Sequence, residues 1–247
     1  KYNARVDIHV DKLPKNSVAL YINISEGLSA TIKQIKIIGN HAFKESRLLD
    51  EFQLTTPGMF TFINHHDQYS SDQLSADIET LKTYYLNRGY LKFKVDSVQV
   101  SLSPDRKHVY ISVRVTEGAQ YHFSGFALTG RLIEPRAKLQ KLVSIKKGDI
   151  YSKKTIVDSD QAIGDALGEH GYYWTKVVPA PVVNEKAKTI FMNLKVVPGK
   201  RVYVRHILFE GNSKTNDTAF RRELTQFEGG LVSTKRVRNS KQNMMML

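Results

Sequence analysis

Apolar and polar residues recur at fixed positions three times along the chain. Each copy begins at a turn that ends in glycine, and a second glycine follows twelve residues later: Gly27 and Gly39, Gly118 and Gly130, Gly199 and Gly211. Apolar residues lie five, eight and ten positions after the first glycine: Ile32, Ile35 and Ile37, then Phe123, Phe126 and Leu128, then Val204, Ile207 and Phe209. Such a period indicates small modules arranged in series.

Each copy carries the pattern of one small fold. The change of phase between the fifth and eighth positions predicts a strand with a bulge. Apolar pairs four residues apart predict a helix after that strand: Leu48 and Phe52, Leu139 and Val143, Phe220 and Leu224. A serine then starts a second helix, at Ser70, Ser152 and Ser233. In the first copy, Gln73 has the spacing that completes a capping box with this serine.

Two copies are complete and two are partial. In the complete copies the second helix ends at Gly89 or Gly171, and two strands follow, which gives the order β-α-α-β-β. The complete modules are 28–118 and 119–199. Residues 1–27 resemble only the closing hairpin of a module, and 200–247 resemble only its opening part. We therefore expect this sequence to be a fragment of a longer protein.

Composition excludes some classes of protein and leaves others open. The chain has no Cys, so neither a disulfide nor a thiolate metal site is expected. No apolar run approaches the roughly 18 residues of a membrane-spanning helix. The net charge is +13, and residues 200–247 contain ten Lys or Arg against four Asp or Glu. The positive charge of this segment leaves open an alternative function, the binding of nucleic acid, acidic lipid or another anionic polymer. Nothing in the sequence except charge supports the binding of nucleic acid.

The sequence offers little chemistry for an enzyme or a metal site. His65, His66 and Asp67 are consecutive, but no third ligand follows them at a recognisable spacing. The tetrad Gly168–Gly171 matches a Gly-x-x-Gly clamp for RNA, yet it carries an acidic residue and is better interpreted as a helix cap. Motifs of hydrolases, zinc proteases and phosphate-binding loops are missing from the sequence. We expect neither an enzyme nor a cofactor.

The two complete modules differ in the strand after the second helix. In the first module, the apolar positions of Lys92–Leu102 change phase across Asp96 and Ser97, which predicts a bulge. The equivalent strand of the second module contains Pro179 and Pro181, and proline commonly protects an exposed sheet edge. We predict that 93–102 is an open edge and that 177–183 is protected. The alternative is that proline merely suits a bent edge and that nothing docks on either strand.

The first module also has a longer loop. Its insertion, around residues 59–68, carries Phe60, Phe62 and Ile63. Packing of these residues on their own module is favoured over a partner site.

Several stretches resemble one known family, the POTRA domain. They are 37–43, 84–90, 96–105, 203–205, 209–212 and 221–224, and their order extends along the whole chain. The resemblance implies an α+β fold of tandem POTRA domains, each with two helices on a three-stranded mixed sheet. Residues 1–27 would then end the second domain, 28–118 would be the third, 119–199 the fourth, and 200–247 would begin the fifth.

The resemblance also implies a function and partners. Such domains lie in the periplasm of Gram-negative bacteria, ahead of an outer-membrane β-barrel, and scaffold the machinery that inserts unfolded outer-membrane proteins. The lipoprotein BamB would dock at 93–102, through Val95, Asp96, Val100 and Leu102. The lipoprotein BamD would bind the helix at 218–226, through Arg221, Arg222 and Glu223. The alternative is a POTRA-bearing transporter of the TamA or two-partner-secretion type.

Overall fold

The computed structural model describes residues 5–14, 17–25, 30–57, 67–211 and 215–246. Gly27, His65, His66 and most of the predicted insertion lie outside these ranges. The chain divides into two compact units, Lys1–Leu86 with Tyr90–Ala119, and Asn87–Gly89 with Gln120–Leu247. Within the described ranges, no helix has the length and apolar character needed to cross a membrane. The division into four segments remains a prediction.

The first unit opens with a separate hairpin. Strand β1 (Arg5–Leu13) pairs antiparallel with β2 (Ser17–Ser25), as the sequence predicts for residues 1–27. Apolar residues face each other across the pair, with Ile8 opposite Ile22 and Val10 opposite Leu20, and all four are more than half exposed.

The rest of the first unit is a sheet with helices, which we call the first module. It comprises β3 (Thr31–Ile38), α1 (Glu45–Leu49), α2 (Ser71–Leu86), β4 (Lys94–Leu102) and β5 (His108–Thr116). The strand order is β3-β5-β4, so β5 is central, parallel to β3 and antiparallel to β4. Alternate residues of β5 are buried, which places the core between the sheet and the helices.

The second unit repeats this arrangement in a second module and adds a third segment. The second module comprises β6 (His122–Gly130), α3 (Arg136–Gln140), α4 (Lys153–Gly168), β7 (Lys176–Asn184) and β8 (Thr189–Val197). Its strand order, β6-β8-β7, matches the first module. The third segment contains α5 (Asp217–Glu223) and α6 (Thr234–Met244). The predicted α+β fold, with two helices on each three-stranded mixed sheet, is confirmed.

Local signals in the sequence are also confirmed. The register shifts between Ile32 and Gln34, and again at the equivalent position of β6, so both first strands carry the predicted bulge. The hydroxyl oxygens of the three predicted cap serines accept backbone N–H groups three residues on, at 3.4, 3.4 and 3.1 Å. Gly89 and Gly171 have φ angles of 93° and 87°, a region that glycine enters at little cost.

Two predictions about the elements are wrong. The strand predicted at 204–209 does not form: an isolated bridge joins Tyr203, just before this segment, to Leu231, and Val204 exchanges backbone hydrogen bonds with Gly229 and Gly230. A strand needs a partner, and no strand in the described residues 200–211 and 215–246 pairs with this segment. The first helix of each copy is also shorter than its apolar pairs suggest, because α1, α3 and α5 end before Phe52, Val143 and Leu224.

A repeated buried polar residue explains where these helices end. The Asp77 carboxylate on α2 accepts the N–H groups of Gln53 (2.7 Å) and Leu54 (3.0 Å), just beyond α1. Ser159 occupies the equivalent position on α4 and accepts the N–H of Ser144 at 3.1 Å. Ser240 on α6 does the same for Thr225 and Gln226, at 2.9 and 3.2 Å. Each side chain supplies the acceptors that a longer helix would otherwise provide.

We expect Asp77→Ala to lower the free energy of unfolding by roughly 2–6 kcal/mol, because two N–H groups lose their acceptor at about 1–3 kcal/mol each. Urea titration followed by circular dichroism measures this change. Glu79→Ala, on the exposed side of the same helix, is the control and removes only an ion pair with Lys82, worth about 0–1 kcal/mol. Equal losses in the two variants would contradict the role of Asp77.

Candidate partner-binding edge strand

Strand β4 lies at the margin of its sheet. Its one neighbour in the strand order is β5, so its other side faces away from the sheet. The pairing shifts between Val95 and Ser97, which confirms the bulge predicted across Asp96 and Ser97. Beyond the bulge the register is regular, from Val98 opposite Val113 to Leu102 opposite Val109.

The direction of the backbone groups along β4 follows from one hydrogen bond. The N–H of Ser103 donates to the carbonyl of His108 at 2.9 Å, so position 103 points toward the chain of β5. Backbone groups alternate in direction along an antiparallel pair. Gln99 and Ser101 therefore point toward β5, whereas Val98, Val100 and Leu102 direct their N–H and C=O groups outward. The outer margin thus offers three donors and three acceptors in line.

Most of the predicted site residues on β4 direct their side chains toward their own module, although their backbone groups lie at the edge of the sheet. Val95, Val100 and Leu102 are partly buried and pack against the module's own core. Val98, on the same side of the strand, is 39% exposed. A partner at this edge would therefore meet main-chain groups first, and the three apolar side chains would hold β4 on its module.

Asp96 has a different role, at the bulge itself. Its carboxylate accepts a hydrogen bond from the Thr116 hydroxyl at 2.6 Å and lies 3.2 Å from the Lys94 ammonium. These contacts, the Thr116 hydrogen bond first, lower the pKa of Asp96 below its usual value. The charged side chain fastens the bulged residue to β5 and marks one end of the regular edge.

The corresponding edge of the second module is different. Pro179 lies opposite Leu194 and Pro181 opposite Met192. Counted back from the turn glycines, these positions match Val98 and Val100, so both prolines occupy outward-facing positions. Proline has no N–H, and β7 therefore lacks two of the three outward donors that β4 offers.

The opposite margin of the first module is partly covered. The N–H of Ile32 donates to the carbonyl of Asp67 at 2.7 Å, and the N–H of Tyr69 donates to Ala30 at 3.0 Å. Further along β3, the N–H of Ile37 donates to the Glu45 carboxylate at 2.7 Å. The outer side of β3 is thus less available than that of β4.

The second set of predicted site residues lies together on α5, in unequal surroundings. Arg221 donates to the Ile207 carbonyl at 3.3 Å, lies 3.6 Å from the Glu228 carboxylate and covers the Phe209 ring at 5.5 Å. The N–H of Ile207, and secondarily Arg221, lower the pKa of Glu228. The Arg221 side chain is therefore engaged in contacts within its own segment.

The neighbours of Arg221 on α5 differ from it. Arg222 is exposed and makes no hydrogen bond or ion pair within the described residues, and Glu223 is half-buried. Of the three, Arg222 is the side chain most available to a partner.

No group of three or more His, Cys, Asp or Glu residues in the described part of the chain could hold a metal ion. His65 and His66 fall outside that part.

The family of the chain is established by comparison. A family model described as POTRA, surface antigen variable number repeat, matches residues 30–118, 121–199 and 202–246. The chain therefore belongs to the POTRA family.

Two similar relatives of the chain are both outer membrane protein assembly factors. The chain is 30% identical over its full length to the outer membrane protein assembly factor BamA of Neisseria meningitidis serogroup B. It is 35% identical, over 94% of its length, to BamA of Buchnera aphidicola. It covers 31% and 38% of these two proteins, so it spans about a third of their length.

A solved structure agrees with these relatives. The POTRA3-5 structure of BamA from Haemophilus influenzae superposes with a TM-score of 0.77 at 27% identity, covering 89% of this chain and 86% of that one.

Val98 is a residue of the edge that sequence reasoning missed. Its outward backbone belongs to the same row as Val100 and Leu102. Aligning the two modules on Gly118 and Gly199 would have revealed it, because the prolines of the second module fall opposite Val98 and Val100.

We expect Val100→Pro to leave the module folded and Ser101→Pro to destabilise it, since only the second substitution removes an N–H directed at β5. The lost ladder bond leaves a carbonyl unpaired, which costs about 1–3 kcal/mol before any steric strain. Urea titration of both variants measures the difference. If Val100→Pro were the more destabilising, the assignment of outward positions would be wrong.

Proposed function

We propose that this chain is the periplasmic scaffold of an outer-membrane β-barrel assembly factor and that it binds partners by strand addition at β4. The observation that carries the proposal is the outward row at Val98, Val100 and Leu102, whose equivalents in β7 include Pro179 and Pro181. Similarity to BamA supports the setting, the assembly of outer-membrane proteins. The function is binding, without a cofactor or a catalytic step.

Strand addition suits such a scaffold. An added strand pairs with main-chain groups, so affinity comes from hydrogen bonds that are independent of the partner's sequence. Specificity then comes from the partner's alternate side chains and from the end of the edge, which the bulge at Asp96 sets. The same edge could accept a lipoprotein loop or a segment of an unfolded outer-membrane protein.

The lipoprotein BamB is the partner we propose for β4, over residues 93–102. We expect Val98→Pro combined with Val100→Pro to weaken BamB binding at least tenfold, because two main-chain donors are removed. Isothermal titration with purified BamB measures the affinity, and circular dichroism confirms that the variant is folded.

The second module provides the matched control. Pro179→Val combined with Pro181→Val restores donors on β7 and should leave the BamB affinity at β4 unchanged. A third variant, Gln99→Ala, changes a side chain while keeping the backbone. Unchanged affinity in the double-proline variant, with the fold intact, would remove the strand-addition mechanism.

The lipoprotein BamD is the partner we propose for residues 218–226, of which 218–223 lie in α5, through Arg221, Arg222 and Glu223. The exposure of Arg222 supports this surface. Arg221 would act indirectly, by fixing α5 against Ile207 and Glu228.

We expect Arg222→Ala to reduce BamD binding about three- to tenfold without changing stability, because an exposed cation contributes chiefly through charge pairing. Arg221→Ala should reduce binding and also lower the urea midpoint, since it breaks contacts within the segment. Surface plasmon resonance with immobilised BamD gives the affinities. If Arg222→Ala had no effect while Arg221→Ala retained full stability, the roles assigned to the two arginines would be wrong.

A further inference from the structure

A groove in the second unit lies outside every site described above. Its volume is about 520 Å³, and it opens between α4 of the second module and α6 of the third segment. One face of α4 forms a wall with Val157 and Gly164, and one face of α6 forms the other with Val237 and Lys241. Tyr173 and Trp174 line it as well.

The two walls are held together by polar contacts. Arg238 donates to both carboxylate oxygens of Asp165, at 2.8 and 2.9 Å. The Ser233 hydroxyl and the Lys235 N–H both donate to the Glu169 carboxylate, at 2.9 and 3.2 Å. The groove is therefore a preformed feature of this unit, and a ligand would not have to order its walls.

The groove exposes apolar surface that the fold itself does not use. Trp174, the chain's single tryptophan, is 65% exposed and makes an edge contact with Tyr173 at 4.8 Å between ring centres. Val157 is 53% exposed. Exposed tryptophan is costly for a surface, and tryptophan is enriched among residues that dominate binding interfaces.

Gly164 adds a second, independent observation. It lies within α4, where glycine costs about 1 kcal/mol relative to alanine. A Cβ built on Gly164 would meet no atom within 4 Å, so packing in this chain does not require the glycine. Its absent side chain leaves open space in the wall of the groove, where a ligand could approach the helix closely.

The charge on the α6 side of the groove favours a negatively charged ligand. Of the two acidic residues in the wall of α4, Asp165 is paired with the guanidinium of Arg238, whereas Asp160 keeps its charge and accepts the N–H of Val177 at 3.2 Å. The ammonium of Lys241 makes no hydrogen bond or ion pair with any described residue. Helix α6 contains four basic residues and no acidic one.

We propose that this groove binds an acidic peptide segment that carries an aromatic or large aliphatic side chain. The apolar side chain stacks on Trp174 between Val157 and Val237, and a carboxylate of the peptide pairs with Lys241. The peptide backbone passes over Gly164. This site is independent of strand addition at β4, so either proposal can fail without the other.

The test uses the whole chain and a short peptide that alternates Glu and Phe. Trp174 is the sole tryptophan, so its emission should shift to shorter wavelength when the peptide covers it. We expect Lys241→Glu to weaken binding about tenfold through charge reversal. Gly164→Leu should abolish it by filling the groove, without loss of stability, because leucine favours the helix.

The controls separate this site from general attraction to a basic chain. Arg236 is exposed on α6 and lies outside the groove lining, so Arg236→Glu makes the same charge change and should leave the affinity nearly unchanged. A peptide that alternates Lys and Phe should not bind.

Three results would overturn the proposal. One is equal weakening by Arg236→Glu and Lys241→Glu. Another is retained binding in Gly164→Leu. In the third, the peptide causes no emission shift, whereas high protein concentration or phosphatidylglycerol vesicles do cause one, and Gly164→Leu blocks it. The occupant of the groove would then be a second copy of the chain or a lipid surface.

Discussion

The parallel pairing of the first and last strands of a module is the interaction on which the rest of each module depends. It makes β5 and β8 central strands, buries their alternate residues and leaves β4 and β7 at the margin. The third segment differs: its opening residues have the same apolar spacing as β3 and β6, yet the described residues 200–211 contain an isolated bridge and no strand. The open edge at β4 is thus a consequence of how the module is closed.

The two complete modules share this strand pairing and differ in the residues at matching positions. In the first module the Glu117 carboxylate accepts the Tyr85 hydroxyl at 2.7 Å and the N–H of Ala42 at 3.1 Å. Burial and this carboxylate raise the pKa of Tyr85. In the second module Pro198 and Leu167 stand at the matching positions, so the donor and the acceptor are lost together. The turn glycine keeps its left-handed angle in both, and the fold tolerates the exchange.

The same logic gives a repeated fold different surfaces. Outward prolines reduce the donors of one edge, and valines at the same positions leave the other edge intact. The groove beside Trp174 arises where a helix of one copy packs beside a helix of the next. The repeated fold supplies the same frame, and single substitutions at exposed positions decide which edge keeps its outward donors.

The sequence by itself determined the repeats, the bulges, and the helix-capping serines and glycines, because each depends on neighbours along the chain. Only the tertiary structure decided which backbone groups of β4 face outward, since that depends on pairing with β5. It also revealed Asp77 as the acceptor that ends α1 and placed Arg221 in contact with its own segment. These contacts join residues distant in sequence, and local spacing carries no information about them.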